Sequence, residues 1–208
     1  MIEAFYAVLL FIGAFWLGAC PFSVWVGRWL LGKDILEYGD GNPGAANVFR
    51  AGDVKTGLFA LSLDMAKGTP FVLIAHLLLG LPTAIVLAVG LSAILGHAFS
   101  PMMGFRGGKS VAVTFGVLIA LLQPEVLFSF AFFMLLGFLF IEQNAWTSMV
   151  GPTGSLTYLS ITRGNSWETL FMLCVLALST LKQYEGLRTA PRFRVKLINW
   201  LQSRRRET

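Results

Sequence analysis

Long apolar runs separated by short polar stretches dominate this chain. They predict helices over residues 4–31, 57–80, 83–103, 110–123, 126–141, 145–162 and 166–184, with ends good to roughly 2–4 residues. The apolar positions are continuous rather than striped at helical spacing, and most runs approach the roughly 20 residues that an α-helix needs to cross a hydrocarbon core. The fourth run is short, and the sixth carries Gly151-Pro152 and many hydroxyls. The pattern reads as all-α: a polytopic transmembrane helical bundle of about seven spans. It forms one domain over 1–208, with a basic tail over about 185–208 and no soluble appendage. No internal repeat shows, so the inverted-repeat signature of many transporters is missing.

Composition agrees with that pattern. The chain is 56% hydrophobic and 13% charged, with a mean hydropathy of +0.71. A soluble domain sits nearer half apolar and a quarter charged. The net charge of +5 would suit nucleic acid on a soluble surface, but its placement points elsewhere. All but two of the sixteen Lys and Arg residues fall at loop one, loop three and the tail, which alternating spans put on one face. The exceptions are Arg163 on the opposite face and Lys67 inside a span. The positive-inside rule then sets the N-terminus out and the C-terminus in. It places these loops on the cytoplasmic face of the cell inner (plasma) membrane, with the bilayer rather than nucleic acid as partner. Without the sixth span the basic tail would lie outside, which is the reason to keep it.

Two minor signals change nothing. Leu17-Gly18-Ala19-Cys20 resembles a lipoprotein cleavage box, but no Lys or Arg precedes the apolar run, which continues to Leu31; a cleaved signal is not expected. Cys20 and Cys174 stand alone in apolar segments and make neither a metal site nor a disulfide framework.

The chemistry concentrates in two loops. Loop one reads Tyr38-Gly39-Asp40-Gly41-Asn42-Pro43-Gly44-Ala45-Ala46-Asn47-Val48-Phe49-Arg50. Its glycines, proline and asparagines cannot be helix interior, and they permit φ > 0 and close backbone approach. Backbone N–H groups at Gly41 and Gly44, the amides of Asn42 and Asn47, and Arg50 suit a phosphate or phosphate ester. The plain alternative is a turn between spans, which rarely needs this density of asparagine and glycine. Loop three reads Gly104-Phe105-Arg106-Gly107-Gly108-Lys109-Ser110, with a helix following at once. It is one residue too short for a P-loop, and a membrane helix precedes it where a P-loop needs a strand. The physics still favours an anion: Gly107 and Gly108 expose N–H groups, Arg106 and Lys109 add charge, and Ser110 opens a helix N-terminus. A positive-inside anchor would need the cations but not the paired glycines.

Three ionisable residues accompany the loops. His97 lies about ten residues before Lys109 at the cytoplasmic end of span three. It is a candidate general base, although a lone histidine at a helix end more often makes a structural hydrogen bond. Asp64 and Lys67 stand one turn apart inside span two, where ionisable groups are costly. They read either as functional or as a local pair that supports loop one from behind.

These motifs resemble a known family. Gly41-Asn42-Pro43-Gly44-Ala45-Ala46-Asn47-Val48-Phe49-Arg50 is similar to the first signature, S-G-N-x-G-A-T-N-x-x-R, of the bacterial membrane acyl-phosphate:glycerol-3-phosphate acyltransferases. Asp64-Met65-Ala66-Lys67-Gly68 resembles their D-x-x-K-G. Leu95-Gly96-His97-Ala98-Phe99-Ser100-Pro101, running into Phe105-Arg106-Gly107-Gly108-Lys109-Ser110-Val111-Ala112, is similar to L-G-H-x-F-P…F-K-G-G-K-G-V-A. Gly18-Ala19-Cys20-Pro21-Phe22 resembles G-S-I-P-F. Three departures stand out. Asp40 occupies the place of the serine and Ala46 that of the threonine. Of the C-terminal R-H-R-E-N-I-x-R-L signature, Lys182-Gln183-Tyr184-Glu185-Gly186-Leu187-Arg188 keeps Glu185 but not the histidine and asparagine.

The resemblance implies transfer of a fatty acyl group from acyl phosphate to the 1-hydroxyl of glycerol 3-phosphate. The products are lysophosphatidate and phosphate, and no cofactor or metal is needed. It implies catalytic roles for Asp40, Asn42, Arg50, His97 and Lys109, and phosphate-binding roles for Gly41, Gly44, Asn47, Arg106, Gly107, Gly108 and Ser110. Asp64, Lys67 and Glu185 stand behind them, and the soluble enzyme that forms acyl phosphate is an implied partner. Asp40 also motivates a paralogue with a different acceptor, and the degenerate C-terminal signature one with little activity. An anion transporter is a further alternative, but beyond Asp64 and Lys67 the spans offer it little polar path.

Overall fold

A proline inside the first apolar run decides the first structural feature. In the computed structural model, which describes residues 2–194, that run is two helices, α1 (Ile2–Ala19) and α2 (Phe22–Leu31). A single helix over 4–31 was expected; Pro21 lacks the N–H and the space that a continuous helix requires there. After a 3₁₀ turn at Ile35–Glu37 come α3 (Ala45–Ala51), α4 (Val54–Ala66) and α5 (Pro70–Leu73), the last running into a π-helical turn at Ile74–Leu78. Then follow α6 (Thr83–Ala98), α7 (Val111–Ala120), α8 (Pro124–Phe140), α9 (Asn144–Thr162) and α10 (Trp167–Leu187). Every regular element among the described residues is helical.

Contacts divide the chain into two units, Met1–Leu127 and Phe128–Thr208, with the boundary inside α8. In the first unit α1 lies against α6, where Gly18 and Gly96 face the partner backbone. A Cβ on Gly18 would strike the Ala93 carbonyl, and one on Gly96 the Phe15 carbonyl. Small residues at a crossing let membrane helices pack by backbone contact. Ser92 Oγ donates across the same crossing to the Phe11 carbonyl at 2.8 Å. Beside this pair, Val24, Val26, Ile35, Ala45, Val48, Ala51 and Ala60 form the buried cluster that seats α3 between α2 and α4.

In the second unit α9 and α10 pair, with Gln183 Nε2 donating to Ser148 Oγ at 2.5 Å. After α10 the chain returns to α8, where Arg194 N donates to the Phe140 carbonyl at 2.9 Å. The basic tail beyond residue 194 lies outside the described residues.

Large apolar side chains such as Trp29, Leu78 and Ile161 point outward, 76%, 77% and 80% exposed. Such a surface matches lipid and not water. The chain is an integral membrane protein. Ile2–Leu31, Val54–Leu78, Thr83–Met103 and Trp167–Leu187 are long and apolar enough to span, whereas Val111–Ala120 and Pro124–Phe140 are shorter apolar helices.

Candidate active site

Loop one begins with two glycines in the left-handed backbone conformation that other residues rarely adopt. Gly39 has φ +60° and Gly41 φ +68°, a region costly for other residues. Gly39 is doubly constrained, because a Cβ there would lie 2.5 Å from Arg50 Nη1 and Asn47 Oδ1. The turn delivers Asp40 toward α3, whose first turns carry Asn47 and Arg50 three residues apart on one face.

Asn47 organises this loop. It is buried to 1% exposure, and its Nδ2 donates to Asp40 Oδ1 at 3.1 Å and to the Asn42 carbonyl at 3.0 Å. Its Oδ1 accepts from Arg50 Nη1 at 2.5 Å. The Asn42 backbone N–H also donates to Asp40 Oδ1, at 3.3 Å, and the Asn42 side chain lies over Gly44. Arg50 Nη1 stands 3.9 Å from Asp40 Oδ1.

Loop three meets loop one at an ion pair. Lys109 Nζ donates to Asp40 Oδ2 at 2.7 Å, across 69 positions of sequence. The side chains are 21% exposed at Lys109, 33% at Asp40 and 38% at Arg50. They remain open to an incoming solute, and a pair this exposed contributes on the order of 0.2–1 kcal/mol. That is weak enough to exchange for a ligand.

Loop three is held from below by His97. The Gly108 N–H donates to the His97 carbonyl at 3.0 Å. A Cβ on Gly107 would strike that carbonyl, and one on Gly108 would strike the imidazole Nε2. The paired glycines therefore serve a close approach. His97 is 7% exposed. With Pro43, Gly107, Gly108, Ser100 and the Ala19-Cys20-Pro21 break it lines a cavity of about 10 Å³, room for one water-sized group.

Two expectations for loop three change here. The Gly108 amide donates to the His97 carbonyl rather than standing open to the loop surface. The Ser110 hydroxyl is buried and donates to the Ile94 carbonyl at 3.3 Å. Ser110 opens α7 with φ +64°, and that bond helps hold a conformation that costs a non-glycine residue about 1–3 kcal/mol. Arg106 is exposed on the outer side of the loop.

Asp64 and Lys67 brace the α1–α2 break rather than loop one. Both are 2% exposed. Asp64 Oδ2 accepts from Ser23 Oγ at 2.5 Å, and Lys67 Nζ donates to the Cys20 carbonyl at 2.8 Å. Lys67 Nζ lies 2.9 Å from Asp64 Oδ1 as an ion pair without hydrogen-bond alignment. Ser100 Oγ donates to the neighbouring Ala19 carbonyl at 2.5 Å. Carbonyls freed by a broken span must find such partners, because lipid supplies none. Ser23 and Ser100 were not among the expected residues; Pro21 in the apolar run, read as a helix break, would have been the signal for them. Glu185 lies exposed near the end of α10 in the second unit.

Similarity to known proteins extends along most of the chain. A family model described as glycerol-3-phosphate acyltransferase matches residues 8–189. A glycerol-3-phosphate acyltransferase of Streptococcus equi subsp. zooepidemicus (strain MGCS10565) is 32% identical over 200 residues, covering 93% of both chains. One from Streptococcus pyogenes serotype M1 is 35% identical over 158 residues, covering 74% of both. Among solved structures, the chain is similar to PlsY (YgiH), an integral membrane glycerol 3-phosphate acyltransferase. The glycerol 3-phosphate form gives a TM-score of 0.78 at 30% identity, covering 88% of this chain and 90% of that one. The lysophosphatidic acid form gives 0.77 at 28% identity with the same coverage.

Proposed function

The chain belongs to the glycerol-3-phosphate acyltransferase family, and we propose that it transfers a fatty acyl group from acyl phosphate to the 1-hydroxyl of glycerol 3-phosphate. Lysophosphatidate and inorganic phosphate leave as products. The observation that carries this reading is the meeting of loops one and three, which puts Arg50 and Lys109 around one carboxylate at a reachable surface. The glycerol 3-phosphate and lysophosphatidic acid forms of the related structure support the acceptor and the product.

Acyl phosphate is a mixed anhydride, so its leaving group is already activated. The acceptor oxygen forms a bond to the acyl carbon, the carbon–oxygen bond to phosphate breaks, and the hydroxyl proton departs to a base. The protein mainly positions two substrates and stabilises charge. Lys109 and Arg50 supply that charge, Asn47 fixes Arg50, and Asn42 and the loop-one glycines shape the cradle. His97, beneath the glycines, is the nearby candidate for the proton. The acyl chain enters sideways from the bilayer. An apolar groove of about 330 Å³ between α2 and α4, lined by Phe22, Trp25, Trp29, Phe59 and Leu63, begins beside Pro21 and supports that route. The one-sided cations support a seven-span, N-out topology with this site on the cytoplasmic face of the plasma membrane, within reach of a soluble enzyme that forms acyl phosphate.

The test is direct. Purified protein in detergent, given acyl phosphate and glycerol 3-phosphate, is expected to form lysophosphatidate and release phosphate in equal amounts. Lys109→Ala should lose most of this transfer, since a charge-assisted phosphate contact contributes about 1.5–3 kcal/mol. A Lys109→Ala protein with near-normal kcat/KM would reduce that residue to a topological anchor.

A further inference from the structure

Asp40 is a carboxylate at the junction of the two loops, and its position has a consequence for the acceptor. Its Oδ2 holds Lys109 at 2.7 Å, and its Oδ1 takes Asn47, the Asn42 amide and, at 3.9 Å, the approach of Arg50. Both cations that would receive a phosphate already face a negative charge built into the chain. A dianion that takes Lys109 must either displace the carboxylate or settle beside it, and like charges side by side oppose binding. An uncharged hydroxyl compound meets no such penalty. A carboxylate oxygen is also a strong acceptor for an O–H donor.

We propose that Asp40 sets the charge specificity of the acceptor site, offsetting one of its two cations so that the enzyme discriminates weakly between a phosphate-bearing acceptor and an uncharged polyol. The proposal rests on the acyl-transfer reading above. Acceptors of the class it admits are small polyols with a primary hydroxyl, alongside glycerol 3-phosphate. Asp40 acts on them through contact with the acceptor end of the substrate.

The experiment compares wild type, Asp40→Asn and Asp40→Ser in detergent, with acyl phosphate as donor and glycerol 3-phosphate or glycerol as acceptor. Asparagine keeps the acceptor oxygen for Asn47 and the Asn42 amide while removing the charge. Both variants are expected to raise kcat/KM for glycerol 3-phosphate about tenfold, mostly through KM, the size of one modest electrostatic contact. Transfer to glycerol should fall or stay level, so the ratio of the two rises at least about tenfold. Inorganic phosphate, which reports binding without turnover, should inhibit both variants more tightly by a similar factor. A parallel fall with both acceptors, at unchanged phosphate inhibition, would show that Asp40 only ties the loops together, and the proposal would be wrong. Unchanged ratios would sink it equally. If wild type transfers acyl groups to neither acceptor, the acyl-transfer reading itself fails and takes the proposal with it; an active wild type with unaltered ratios leaves that reading standing.

Discussion

Asn47 shows how one buried amide can arrange a charged site. Its two donor hydrogens go to Asp40 and the Asn42 carbonyl, and its oxygen to Arg50. Removing it leaves a carboxylate and a guanidinium without the group that spaces them. Hydrogen bonds to charged groups contribute about 1.5–3 kcal/mol each, so Asn47→Ala should lower kcat/KM about tenfold or more while the helical circular dichroism stays the same. Asn47→Asp keeps an acceptor for Arg50 but sets a second carboxylate against Asp40, and it should be at least as damaging. An Asn47→Asp protein that outperforms the alanine variant would mean that Arg50, and not Asp40, is all that Asn47 serves.

At the level of elements, the α1–α2 break is the feature that joins membrane packing to the site. Pro21 interrupts the run, the freed carbonyls of Ala19 and Cys20 accept from Ser100 and Lys67, and the break then lines the same cavity as His97 and the loop-three glycines. Lys67 can stand there because Asp64 neutralises it and Ser23 in turn holds Asp64. Breaking a buried pair by removing one partner typically costs about 3–5 kcal/mol, whereas replacing both by apolar groups is often near neutral. Lys67→Met should therefore lower the unfolding midpoint in detergent more than the Asp64→Leu/Lys67→Met double variant does. If the double variant is the less stable of the two, the bond from Lys67 to the Cys20 carbonyl outweighs the ion pair.

For the whole molecule, span lengths and charge placement decide orientation. Val111–Ala120 has 10 residues, about 15 Å of helix at 1.5 Å per residue. A full crossing needs about 30 Å. The α9 helix reaches 19 residues but carries Gly151, Pro152 and several hydroxyls, which keep it below the hydropathy of the four clear spans. Orientation therefore rests on the cations. In a background with Cys20 and Cys174 replaced by alanine, Arg106→Cys on the exposed part of loop three should resist an impermeant thiol reagent in intact cells and react after permeabilisation. Labelling from outside would reverse the topology proposed for the protein.

The apolar runs by themselves determined that the chain is helical and lives in a bilayer, because lipid leaves each backbone group no partner outside its own segment or a close neighbour. They also located both loops, since glycine, proline and asparagine act through the local backbone and need no knowledge of the rest of the chain. The tertiary structure alone decided the partners. Lys109 finds Asp40 69 positions away, the Gly108 amide and Ser110 hydroxyl turn inward to His97 and Ile94, and Asp64 with Lys67 serves the Pro21 break instead of loop one. Periodicity and turn chemistry reach a few residues along the chain. Which side chains meet depends on how α1, α4, α6 and α7 pack, and on the direction each side chain takes from its helix, neither of which a linear pattern contains.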